Sequence, residues 1–268
     1  MRSVLLLLPV LLLAVGCGEY NKAMKSSDIR VKLAAAEKYF EQGKHEKSIV
    51  LLEELLFITR GTMESERVSY LHAMSWFYQE DYTMAGYYLE NFAKTFPNSP
   101  RAEDCSFKSA YCNYRNSPVY ELDQGETQAA MDKLQLFLVR YPETELRDSS
   151  NALMDKLRVK LEAKEWAAAK QYMHTRNYLA ASKTGAEFVR KWPNSKYREE
   201  GYFMVLEASH ALAMNSVSRR KKDRLNDAIR AYHTFADAFS EGDRRQQADR
   251  LHEQLTEELQ RLESASAP

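Results

Sequence analysis

The chain has 268 residues, of which 44% are hydrophobic, 28% are charged, 9 are glycine and 7 are proline. The scarcity of turn-forming residues, without any long strand-like alternation, favours a helical protein with enough apolar residues to bury a core. Its 38 basic and 38 acidic residues cancel, so no overall field directs the protein toward nucleic acid or an acidic surface.

An apolar segment at the N-terminus ends at the first cysteine. Arg2 supplies a positive charge, residues 4–15 are almost all apolar, and small residues lead to Cys17, which is the layout of a secretory signal peptide. Twelve helical residues would span about 18 Å, less than the roughly 30 Å of a bilayer core. Residues 1–16 are therefore predicted to be a signal peptide rather than a membrane span.

The end of this segment, Leu13 to Cys17, resembles the bacterial lipobox, in which the cysteine becomes the acylated first residue of the mature protein. Acyl chains would hold the protein to a membrane by its N-terminus. Residues 17–28 are then predicted to form a lipidated N-terminus and tether. An ordinary signal peptide followed by an incidental cysteine is the alternative interpretation.

One pattern recurs through residues 30 to 245: a small residue, a phenylalanine seven positions later and a proline twelve positions later. Its members are Ala85, Phe92 and Pro97; Ala130, Phe137 and Pro142; Ala181, Phe188 and Pro193; a fourth pass at Ala228, Phe235 and Ser240; and a weaker pass at Ser48, Leu55 and Arg60. Residues seven apart share one helix face, and proline ends a helix. A serine or threonine follows the turn and is expected to cap the next helix. Each unit is therefore predicted to be helix, short turn, helix, loop.

Three further features refine this prediction. Turns between paired helices are expected at residues 43–45, 80–82 and 176–178, and a long helix is expected within residues 146–172. Cys105 and Cys112 fall within residues 102–116, which are predicted to form one helix. Seven helical residues rise about 10 Å, beyond the roughly 7 Å limit for a disulfide. Both cysteines are expected to be buried and unbridged.

The pattern resembles the tetratricopeptide repeat, with phenylalanine in place of the usual small residue and with wider proline intervals. Together with Cys17, the segments 92–99 and 137–144 resemble the BamD family of outer-membrane protein assembly lipoproteins. The resemblance implies an all-α protein, a right-handed α-solenoid of about five tetratricopeptide-like helix pairs plus a C-terminal helix. It also implies a lipid-anchored protein on the periplasmic face of the outer membrane.

The same resemblance implies a subunit of the β-barrel assembly machinery that scaffolds the insertase BamA, joins other assembly lipoproteins and binds nascent outer-membrane proteins. Residues 29–145 would hold repeats 1–3 and receive the substrate. Residues 146–263 would hold repeats 4–5 with a capping helix and contact the insertase, and residues 264–268 would be a disordered tail.

An aromatic-ended β-strand substrate would need a groove with apolar pockets and hydrogen-bonding groups. The first two units carry nine aromatic residues: Tyr39, Phe40, Phe57, Trp76, Phe77, Tyr78, Tyr82, Tyr87 and Tyr88. Tyrosine and tryptophan combine a large apolar area with a polar group. Tyr39, Trp76 and Tyr78 are predicted to bind substrate because they fall on the first helices of their units. A purely structural role in the core is the alternative.

A basic cluster near the C-terminus is the second candidate surface. It consists of Arg219, Arg220, Lys221 and Lys222, followed by Arg244 and Arg245. It is predicted to bind a partner, either an acidic protein surface such as the insertase's periplasmic domain or lipid headgroups. A solvated helix start is the alternative, and export disfavours nucleic acid.

The sequence offers no pattern for catalysis. Its six histidines show no metal-ligand spacing, and there is neither a Gly-rich phosphate loop nor a GxSxG motif. The protein is predicted to be non-enzymatic, without a metal or cofactor. A tetratricopeptide lipoprotein that coordinates peptidoglycan synthesis is the alternative function, and a periplasmic enzyme whose residues converge only in the fold is a third.

Overall fold

The computed structural model describes residues 18–266, so the predicted signal peptide and Cys17 lie outside the described part. Within it, every regular element is a helix. The twelve helices are α1 (18–25), α2 (Ile29–Glu41), α3 (His45–Ile58), α4 (Ser65–Tyr78), α5 (Tyr82–Thr95), α6 (Ala102–Asn116), α7 (Gly125–Arg140), α8 (Arg147–His174), α9 (Tyr178–Lys191), α10 (Arg198–Met214), α11 (Ser218–Ala238) and α12 (Arg245–Ser266). The all-α prediction is confirmed.

Helices α2 to α11 form five consecutive pairs, in which sequence neighbours pack on one another. Each second helix ends two residues before the position of the repeated proline, as at Thr95 before Pro97. The repeated phenylalanines are at most 1% exposed and the repeated alanines are fully buried. The stripe of small and aromatic residues is therefore the core, as the seven-residue spacing predicts.

The chain divides into two compact units, the first ending at Leu157 and the second starting at Arg158. The division falls inside α8, later than the predicted boundary at 145/146. Leu157 is buried with residues of α6 and α7 in the first unit, whereas Trp166 is buried with residues of α9 and α10 in the second. One unbroken helix therefore supplies core residues to both units.

The turns inside three helix pairs share a left-handed residue. Gly43, Glu80 and Arg176 occupy the same offset and have φ values of 71°, 60° and 58°. The turn is closed by backbone bonds such as the one that the Asn177 N–H donates to the Tyr172 carbonyl, at 2.9 Å. Only glycine adopts this conformation without strain, so the turn geometry is kept at two positions against the preference of the residue.

A hydroxyl and a carboxylate join each of three first helices to the next unit. The hydroxyl oxygen donates to a glutamate at 2.7 Å for Ser99 and Glu66, at 2.5 Å for Thr144 and Glu103, and at 2.6 Å for Ser195 and Glu162. Each hydroxyl also accepts from the backbone N–H two residues later. In the last helix pair the equivalent position is Gly242, which has no hydroxyl. There the Arg244 N–H donates directly to Glu199 at 2.9 Å. The prediction that these hydroxyls cap the next helices is wrong, because the helices begin three residues after them. The N-cap residues of α6 and α10, Arg101 and Tyr197, make no side-chain cap bond.

Two predicted segments differ from the structure. The prediction of a tether is wrong for residues 18–25, which form α1, because Tyr20, Ala23 and Met24 fall on one helix face and pack against α2 and α3. Ala23 is only 3% exposed. The prediction of a tail from residue 264 is also wrong at its start, since α12 continues to Ser266.

Cys105 and Cys112 lie on α6 as predicted. Both are free thiols without any exposed surface. Burial raises the pKa of each thiol to about 12, so neither is a thiolate at neutral pH. The prediction of two buried, unbridged cysteines is confirmed.

Candidate functional site

A groove with a volume of about 440 Å³ lies between α3, α4 and α5 in the first compact unit. Aromatic side chains form much of its wall. Phe57 of α3 is 81% exposed and Tyr87 of α5 is 60% exposed, while Tyr88 and Phe96 are partly buried behind them. Exposed apolar residues that lie together in a groove are typical of an interaction site.

His72 is a fully buried residue that lines this groove. Its Nε2 accepts a hydrogen bond from Trp76 Nε1 at 3.2 Å, so the proton of the neutral ring is on Nδ1. The ring of Tyr88 packs edge-on against His72, with the ring centroids 4.3 Å apart. Burial lowers the pKa of His72 to about 4. Among the described residues Nδ1 has no hydrogen-bond partner.

Polar groups line the same groove as the aromatic ones. Ser65, Ser69, Asn91 and Thr95 line the groove, and Arg60 lies at one end. Side-chain hydroxyl and amide groups both donate and accept hydrogen bonds. The groove therefore offers aromatic contact area together with partners for a ligand's backbone.

The three residues that were predicted to bind substrate do not line this groove. Tyr39 is 5% exposed and belongs to the core around Leu51, so a surface role for it does not fit the structure. Trp76 is partly buried and donates a hydrogen bond to His72. Tyr78 is 53% exposed but stacks on His45 at the other end of its helix.

Sequence reasoning missed Phe57, Tyr87 and Tyr88 as groove residues although it counted them among the aromatics. The predicted substrate-binding residues were chosen on the first helix of each repeat unit. The groove is instead lined mainly by second helices. Their spacing from the repeated core residues could have identified them. Phe57 lies nine residues after Ser48 and Tyr87 lies two residues after Ala85, so neither can face the core with the residue at the seventh position.

The same groove recurs one unit later with a different lining. Between α5 and α7 its volume is only about 70 Å³. Lys94 stands there at the repeat position of Phe57, and Lys133 stands at the position of Tyr88. Both lysines bond to Glu90, at 2.5 and 2.8 Å, and these bonds, Lys133 first, lower the pKa of Glu90. Two ion pairs thus stand where the first groove has aromatic rings.

The six residues of the predicted basic surface differ in whether their charges are paired. Lys221 pairs with Glu258 of α12, and Lys222 pairs with Glu263 at 2.9 Å. Arg219 and Arg220 are exposed at the start of α11. Among the described residues, no ion pair neutralises either arginine. Arg219 and Arg220 therefore remain available to a partner.

The remaining two basic residues serve the junction of α11 and α12. Arg245 bonds to Asp249 at 2.9 Å and to the hydroxyl of Tyr232 at 3.3 Å. Arg244 donates through its backbone N–H to Glu199, and its guanidinium lies over the ring of Phe203. Arg245 is thereby held in local packing, whereas Arg244 stays exposed and is neutralised by no ion pair within the described residues.

In residues 18–266, no group of three histidine, cysteine, aspartate or glutamate side chains is placed to hold a metal ion. None of the helices described there combines the length and the apolar character that a membrane crossing needs.

The helix pairs, their shared turns and their internal core stripe define a tetratricopeptide-like helical repeat protein. The chain belongs to the YfiO family of outer membrane lipoproteins, which matches residues 31–225. The outer membrane protein assembly factor BamD of Caulobacter vibrioides is 25% identical over 150 residues, which are 56% of this chain and 48% of that protein. The match thus spans about half the length of this relative.

Solved helical-repeat structures are also similar. The TPR2AB-domain:pHSP90 complex of yeast Sti1 has a TM-score of 0.38 and 10% identity, covering 85% of this chain and 98% of the other. A putative kinesin light chain protein of Podosopora anserina, with nearly identical TPR-like repeats, has a TM-score of 0.33 and 17% identity, covering 85% and 92%.

Proposed function

We propose that this protein is a lipid-anchored subunit of the β-barrel assembly machinery at the periplasmic face of the outer membrane. It scaffolds a BamA-like insertase, joins other assembly lipoproteins and binds nascent outer-membrane proteins through the groove between α3, α4 and α5. The family and the printed name of the relative support the class of function. The exposed aromatic groove is the observation that carries the substrate role.

The groove chemistry fits a strand of an outer-membrane barrel. Such strands alternate apolar and polar residues and carry aromatic residues at the membrane boundaries. In an extended chain alternate side chains face the same side, so aromatic rings can pack on Phe57 and Tyr87 while Ser69 and Asn91 bond to the backbone.

A peptide-binding experiment tests the substrate role. The double variant Phe57→Ala with Tyr87→Ala is expected to weaken binding of a ten-residue barrel-strand peptide by about 30-fold or more, because aromatic anchors contribute about 1–2 kcal/mol each at such sites. Both side chains are exposed, at 81% and 60%, so the free energy of unfolding should change little.

A matched control removes exposed apolar groups elsewhere in the first compact unit, which ends at Leu157. Leu136 and Val139 of α7 are 65% and 68% exposed, and changing both to alanine should leave the peptide affinity unchanged. Equal affinity loss in both double variants, or none in the groove variant, would contradict the assignment of this groove.

The partner role is tested by purification from solubilised membranes. Arg219→Glu with Arg220→Glu is expected to reduce recovery of the β-barrel insertase several-fold, since charge reversal opposes an acidic partner. Arg30→Glu is the control, because Arg30 is as exposed but lies on α2. Recovery of peptidoglycan synthases instead of a β-barrel protein would replace this proposal with the alternative function.

A further inference from the structure

Helix α1 fixes the start of the mature chain to one edge of the first unit. Glu19 bonds to Lys38 at 2.5 Å, and the ring of Tyr20 meets that of Tyr39 with centroids 5.6 Å apart. The ammonium group of Lys47 lies 5.4 Å from the centroid of Tyr20. These contacts place the first turn of α1 beside the end of α2 and the start of α3.

The turn between α2 and α3 lies at this edge, together with an exposed aromatic residue that the groove does not use. Tyr78, the last residue of α4, stacks on His45 with centroids 5.1 Å apart, and its ring also meets that of Phe40 at 5.7 Å. Tyr78 is 53% exposed. Lys44 is exposed in the adjoining turn.

We propose that this edge, formed by the α2–α3 turn, Lys44 and Tyr78, lies on the phospholipid headgroups of the bilayer that holds the acyl chains of Cys17. The inference rests on the lipid anchor of the proposed function. Cys17 precedes Tyr20 by three residues, which span at most about 10 Å. The anchor therefore reaches the bilayer without a flexible tether, and the edge is held against the surface.

The chemistry of the edge suits the headgroup region. Tyrosine places its ring and hydroxyl at the boundary of apolar and polar layers, and lysine extends its charge outward from an apolar stem. Glu41 and Glu46 are exposed nearby, so the edge has no strong positive field. Contact is consequently set by the anchor and should depend weakly on salt.

This orientation places the groove's open end away from the membrane. Phe57 lies near the end of α3, and Met63 follows that helix and is 96% exposed. A helix of 14 residues is about 21 Å long at about 1.5 Å per residue. The groove end near Arg60 and Phe96 is then about that far from the headgroups.

Fluorescence quenching on vesicles tests the orientation. The mature acylated protein is placed on phosphatidylethanolamine–phosphatidylglycerol vesicles that contain a headgroup nitroxide lipid. A bimane label is attached at Lys44→Cys or, as the matched site, at Met63→Cys; the buried thiols of Cys105 and Cys112 do not compete. Quenching at residue 44 is expected to be about threefold stronger than at residue 63, since the sites lie about one helix length apart.

A second variant separates rigid docking from simple tethering. Ten glycine and serine residues inserted between Gly18 and Glu19 add about 17 Å of flexible reach and should make quenching at the two sites equal. Equal quenching without the insertion would overturn the inference while leaving the anchor intact. Failure of the acylated protein to float with vesicles would overturn both the anchor and the inference, whereas insertase recovery tests the assembly role separately.

Discussion

Thr144 offers the most direct test of how neighbouring units are joined. Its side chain donates to Glu103 at 2.5 Å and accepts from the Leu146 N–H at 3.1 Å, and the residue is only 9% exposed. A hydrogen bond to a charged group contributes about 1.5–3 kcal/mol, and a turn or cap bond about 1 kcal/mol. Because water can reach the half-buried carboxylate of Glu103 after the change, Thr144→Ala should cost about 2 kcal/mol of unfolding free energy.

Urea unfolding monitored by circular dichroism measures this loss. If the two units unfold in separate transitions, the change should appear in the transition of the first unit, which contains Thr144. The matched control is Thr144→Ser, which keeps the hydroxyl and should cost less than about 1 kcal/mol. Equal losses for alanine and serine would refute the reasoning, because the methyl group rather than the hydrogen bonds would then be responsible.

Three further predictions concern single positions. Glu80→Gly should raise the free energy of unfolding, measured in urea titrations, by about 0.5–1 kcal/mol, because only glycine adopts this turn's φ without strain. Gly43→Glu should lower it by a similar amount. Changes of the opposite sign would contradict this reasoning. The lowered pKa of His72, about 4, means that the unfolded chain takes up a proton first, so stability should decline as pH falls from about 6.5 toward 4, by at most about 3 kcal/mol. His72→Gln should remove that part of the slope; an unchanged slope would oppose the assignment. Cys105 and Cys112 should resist thiol reagents at pH 8 until the protein is unfolded, and labelling of the native protein would show that they are accessible.

The sequence predicted the scaffold well because its signals are local. A seven-residue spacing defines a helix face, and a proline after it marks the helix end, whatever the rest of the chain does. The helix carrying Cys105 and Cys112 was therefore predicted with its observed bounds, Ala102–Asn116. The ties from Ser99 to Glu66 and from Thr144 to Glu103 were not predicted, since the partners are 33 and 41 residues apart.

The candidate site was predicted only in part, for a related reason. The wealth of aromatics in the first two units was visible, but which rings stay exposed depends on how three helices pack. Tyr39 is buried because α1 packs over it. Phe57 stays exposed because α4 and α5 leave a groove beside it. The N-terminal tether was wrong because eight residues with one apolar face suffice for a helix when a core is already there to receive it.

The recurrence of one groove with two linings bears on how such arrays acquire new functions. Phe57 and Lys94 occupy one repeat position, as do Tyr88 and Lys133, yet the helices around both grooves keep the same buried phenylalanine. Recognition and folding are thus encoded at separate positions of the template. A few substitutions at the outer positions could transfer a ligand preference from one unit to its neighbour, or create a second copy of it, without disturbing the framework that both units share.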